Sequence, residues 1–155
     1  METEPRNAIV LVACAAEKQT QRARAKELYT SDLFKKSRAY AEYLVESGQA
    51  KAWYILSAKH GFLDPDKEID PYDECLDSRT AEGRRAWSAG VWFDMAKRLK
   101  PQPAALIFLA GENYRKTLAV VAEKVYMAVE VPMKGLGIGE QKAWLKAALI
   151  KAPSA

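Results

Sequence analysis

Histidine occurs once in this 155-residue chain, at His60, and cysteine twice, at Cys14 and Cys75 with no CxxC pair. With one imidazole and no cysteine cluster, a zinc site lacks its ligands, and no metal or cofactor is expected. Long hydrophobic runs are also missing. The opening METEPRNA is polar and leads into only a short apolar stretch, which fits neither a signal peptide nor a membrane span. A cytoplasmic protein with reduced thiols, acting as a monomer away from any membrane, is the expectation. Neither sign of charge predominates: 24 Lys and Arg stand against 20 Asp and Glu, a net +4, which permits nucleic-acid binding without requiring it. Hydrophobic residues at 49% and charged residues at 28% exclude disordered and fibrous classes.

What is present is an alternation of short apolar runs with helical patterns. Ala8 to Ala13 (AIVLVA), Trp53 to Ser57 (WYILS), Ala104 to Ala110 (AALIFLA) and Tyr126 to Val131 read as buried strands. Between them, helices are expected from Thr30 or Ser31 to about Gly48, from Thr80 to before Pro101, over Leu118 to Val125, and over the last stretch containing Trp144, Leu145 and Leu149. Residues 14–28 and the segment after Ser57 read as loops. The whole chain, 1–155, then forms one α/β domain, a three-layer sandwich with a four-stranded, mostly parallel sheet and helices on both faces.

In such a sheet every strand ends toward one edge, where ligands bind. Four polar stretches should meet there: Cys14 and Lys18; Ser57 to Asp73; Gly111 to Arg115; and Met133 to Gln141. The triplet GLGIG at residues 135–139 follows the last strand rather than the first, so a dinucleotide fingerprint is rejected, although glycines before a helix can hold a phosphate or simply allow close packing. Cys14 reads as a nucleophile or as a small buried hydrophobe. Asn113 reads as a helix cap or a base reader, and Tyr72 and Tyr114 as base-stacking rings or core. Ser57, Lys59 and Gln141 complete the expected substrate contacts. Arg22, Arg24 and Lys26 lie in a basic run that is either a solvated face or a surface tracking phosphates.

Asp70, Asp73 and His60 are the expected catalytic groups. Cleaving an N-glycosidic bond develops positive charge on the sugar and negative charge on the departing base, so it calls for a carboxylate near the sugar or its attacking water and a donor near the base. Asp70 or Asp73 suits the first role, and His60 or Lys59 the second. The alternative for Asp73 is a turn residue bonding its own backbone.

Cys14 with Lys18, LYTSDLF at residues 28–34, LSAKHGFLDP at residues 56–65 and IDPYD at residues 69–73 resemble a family of small bacterial and phage domains. The pattern of Cys14, Lys18, Tyr29 and Ser31 is similar to the core domain of archaeosine synthases, with Phe34 where that family has a histidine. Those domains are similar in fold to uracil-DNA glycosylases, whose early-loop aspartate and late-loop histidine have no counterpart here. The resemblance spans Val10 to Leu145. It implies a glycosylase-like fold and an enzyme acting on a nucleic-acid base, with a DNA glycosylase for a modified pyrimidine expected first and DNA favoured over tRNA as partner. A base-modifying transferase on tRNA and a non-catalytic nucleic-acid binding module are the alternatives. The phage relatives imply a setting in phage–host conflict, as in antiviral defence.

Overall fold

A computed structural model describes residues 4–151. The central sheet has five strands: β1 (Ala8–Ala13), β3 (Ala52–Ser57), β4 (Gly61–Leu63), β6 (Ala105–Leu109) and β7 (Ala128–Glu130), in the order β4-β3-β1-β6-β7. β1 pairs in parallel with β3 and with β6, and β6 in parallel with β7, whereas β4 runs antiparallel to β3. This corrects the expected count of four. The fifth strand, GFL, is only three residues long and lies inside a segment with turn composition, too short for any periodicity to show. It folds back because Gly61 adopts φ +68, a conformation that costs other residues more.

Period-two alternation divides the core. Ala8, Val10 and Val12 of β1, with Ala105, Ile107 and Leu109 of β6, face Phe34, Ala41, Leu44 and Leu145; Ile9 and Leu11, with Leu106 and Phe108, face Trp87, Val91, Met95 and Leu118. Helices α2 (Asp32–Glu46) and α5 (Ile138–Lys151) therefore cover one face, and α3 (Ala81–Arg98) and α4 (Glu112–Lys124) the other. The expected caps of the second and third helices hold: Ser31 Oγ accepts from the Phe34 N–H at 3.2 Å, and Thr80 Oγ1 from the Gly83 N–H at 3.0 Å. Helix α4 begins otherwise. Its cap residue is Gly111, and Asn113 lies inside the first turn.

Residues 14–28 are not wholly loop. β2 (Ala23–Arg24) pairs antiparallel with β5 (Glu68–Ile69), and a single turn, α1 (Ala25–Leu28), follows with Ala25 and Leu28 buried. Side-chain pairs fasten this ribbon: Arg22 to Asp70 at 3.3 Å and Lys26 to Asp66 at 2.7 Å. Among the described residues no helix is long and apolar enough to cross a membrane.

Candidate functional site at the strand ends

The chain leaves β1 toward β3 on one side and leaves β6 toward β7 on the other, so the direction of winding reverses between two neighbouring strands. A crevice outside the carboxyl ends of β1 and β6 follows from that topology. A cleft of about 730 Å³ lies there. Its walls are Ala13, Cys14, Ala15 and Glu17 after β1, residues 110–114 after β6, the first turns of α2 and α5, and Asp77.

Cys14 and Tyr114 reach across the reversal, with the thiol and the phenol 3.4 Å apart. Burial, then the neighbouring thiol, pushes the Tyr114 phenol up, so it stays neutral and able to donate. The Asn113 amide donates to Asp77 Oδ1 at 2.7 Å. Gln141 Nε2 is spent on the Leu136 carbonyl at 2.9 Å, leaving Oε1 as an acceptor. Asp32, also on the wall, is held below the usual carboxylate range first by its hydrogen bond from Lys36, and Lys142 stands 4.0 Å away.

Next to the cleft, at the end of β3, polar groups satisfy one another. The Tyr29 and Tyr72 hydroxyls are 2.6 Å apart, Tyr72 and Ser57 Oγ 2.8 Å, and Ser57 Oγ accepts the His60 backbone N–H at 3.0 Å. The Ser57 carbonyl accepts from Trp87 Nε1 at 2.9 Å. Lys18 Nζ lies 4.4 Å from the centre of the Tyr72 ring, a cation–π contact, and the His60 ring meets that of Tyr72 edge-on at 5.5 Å. Burial raises both phenols far above their ordinary value, and the nearby Cys14 adds to the effect in each. Burial, with Lys59 and Lys67 adding, lowers His60 below its ordinary 6.5.

Of the residues expected at the site, Cys14, Asn113, Tyr114 and Gln141 line the cleft, while Lys18, Ser57, His60 and Tyr72 form the adjoining cluster. Lys59 is exposed beside that cluster. Asp70 and Asp73 are exposed and off the cleft wall, Asp70 in its pair with Arg22; Arg24 is exposed on β2. Sequence reasoning missed Glu17, Asp32 and Asp77 on the wall, whereas Glu112 lies within the expected stretch Gly111 to Arg115. The first-turn acid Asp32 carried a signal, since it follows a strand-end loop and opens a helix.

Fold and cleft together define a doubly wound α/β protein with a crevice at its switch point. Residues 9–147 match the model of a family described as a family of unknown function (DUF6884), and the chain belongs to that family. Comparison with curated proteins gave no match.

Proposed function

We propose that the protein is an N-glycosylase that takes a base flipped out of nucleic acid into the switch-point cleft and hydrolyses its bond to the sugar, with a modified pyrimidine in DNA as the substrate and a uracil-DNA-glycosylase-like arrangement of the fold. The cleft carries this reading. Its volume of about 730 Å³ lies within the range of roughly 300–1,000 Å³ typical of small-molecule sites, and its walls bring apolar surface, amides and carboxylates together. The carboxylate assigned to the sugar or its attacking water is Asp77, which Asn113 holds in orientation through one oxygen. Asp70 and Asp73, the carboxylates expected from the sequence, are not among the wall residues, and Asp70 is paired with Arg22. The donor at the departing base is the neutral Tyr114 phenol, beside Cys14. Extrusion of the base costs unstacking energy that the pocket contacts offset. Such an enzyme works in the cytoplasm, where Cys14 and Cys75 remain thiols.

The test is incubation with genomic DNAs bearing ordinary and hypermodified bases, with released base read by mass spectrometry and abasic sites by alkaline cleavage. Asp77→Asn is expected to slow release by about a hundredfold or more, and Cys14→Ser to leave most of it. No release from any DNA sinks the proposal. One observation favours a second reading, a thiol-dependent base-modifying transferase on tRNA: Cys14 stands on the cleft wall, where its sulfur can meet a bound base. Turnover of modified tRNA that vanishes in Cys14→Ser would select it.

A further inference from the structure

A second cavity adjoins the cleft at the ends of β6 and β7, with a volume of about 550 Å³. The two share Ala110, Gly111, Glu112 and Gln141 as a common wall. The second cavity has an apolar floor of Phe108, Val131, Met133 and Leu136, and its cations are Arg115 and Lys134. Neither cation has a carboxylate within ion-pair distance among the described residues. Arg115 Nη1 donates to the Ala110 carbonyl at 3.2 Å, which fixes the guanidinium at the end of β6 and leaves its other donors uncommitted. Two cations against the single carboxylate of Glu112 leave the lining net positive. Two members of the basic run that stands out in the sequence are already paired, Arg22 with Asp70 and Lys26 with Asp66, while Arg24 is exposed on β2.

We infer that the second cavity is the subsite for the adjacent nucleotide of a strand. Its floor takes a sugar or base, and Arg115 with Lys134 takes the phosphodiester that joins this nucleotide to the one in the cleft. The inference rests on the reading of the cleft as a base site and adds the class of substrate, a polynucleotide rather than a free nucleoside. A phosphodiester carries one negative charge, which a net positive lining matches. The common wall at Gly111, Glu112 and Gln141 is where a linkage between two occupied cavities has to pass. A planar guanidinium with free donors suits two phosphate oxygens at once.

The experiment measures the affinity of the full chain for a short, fluorescein-labelled, mixed-sequence single-stranded DNA across a series of salt concentrations. Replacing Arg115 and Lys134 by alanine together is expected to flatten the log–log salt dependence by about 0.7, the share of one phosphate on a single strand, and to weaken binding on every sequence alike. Arg115→Lys should retain the slope. Lys134→Ala alone, at an exposed position, reports the same loss in part without the Arg115 tether to Ala110 being touched. An unchanged slope in the double variant, or a loss carried instead by Arg22→Ala and Lys26→Ala, overturns the assignment, as does failure of the unaltered protein to bind the strand. Base release read on the same proteins separates the two ideas: release with an unchanged slope removes this subsite alone, and a flattened slope without release from any DNA or RNA removes the glycosylase reading alone.

Discussion

The two halves of the sheet's carboxyl edge both carry polar groups and use them in opposite ways. At the end of β3, Tyr29, Tyr72, Ser57 and the His60 backbone bond to one another, with Tyr29 1% exposed and Ser57 fully buried. Around the ends of β6 and β7, Asn113, Arg115 and Lys134, with Asp77 from the segment before α3, line open cavities and keep donors or acceptors uncommitted. Polar composition alone does not tell scaffold from site. Counting the partners of each group does, because a side chain whose hydrogen bonds are satisfied internally has little left for a ligand.

If the β3 half is scaffold, breaking it should cost stability before it costs binding. Tyr29→Ala has the largest expected effect, a loss of about 3–5 kcal/mol in urea denaturation from emptying a buried ring site. A loss below about 1 kcal/mol would mean the ring is not the core element described. Ser57→Ala comes next. It strips the His60 N–H and the Tyr72 hydroxyl of a shared partner, for about 1–3 kcal/mol, while oligonucleotide affinity per folded molecule stays the same. A drop in affinity without a drop in stability would move Ser57 into the site. The smallest effect concerns His60, whose proton affinity is lower in the folded state than the ordinary 6.5, chiefly through burial. The unfolded chain then binds more protons below about pH 6.5, so stability falls as pH drops through that value and on past the lower folded one. Denaturation midpoints between pH 7 and pH 5 should fall more in the unaltered protein than in His60→Asn, and identical slopes would place the ring in water.

Much of the fold was legible because the central strands β1 and β6 are buried on both faces and read as unbroken apolar runs, and because Ser31 and Thr80 cap as their chemistry predicts. β4 escaped because three residues between a turn and two prolines carry no period, and its pairing is fixed by β3 rather than by its own sequence. Within the site, Cys14, Tyr114 and Gln141 were found by position alone, directly after strands or at the opening of a helix. Tyr29 was noticed only through a resemblance, since nothing local in LYTS marks a phenol destined to meet Tyr72. Asp70 drew notice for its neighbours in IDPYD, yet its partner Arg22 belongs to a ribbon that pairs β2 with β5, a long-range contact that no window of sequence contains.

The bond between Cys14 and Tyr114 joins residues 100 positions apart, and those from Tyr29 to Tyr72 and Ser57 to Trp87 span 43 and 30. During synthesis, the polypeptide emerging from the ribosome therefore carries its thiol long before the phenol that will face it exists. The cleft is complete only after α4 and then α5 have been made and docked, so a chain halted before that point has strands and the Cys14 thiol but not the whole wall. Completion of the cleft belongs to the last stage of synthesis, and the exposure of the Cys14 thiol without its phenol partner to the earlier ones.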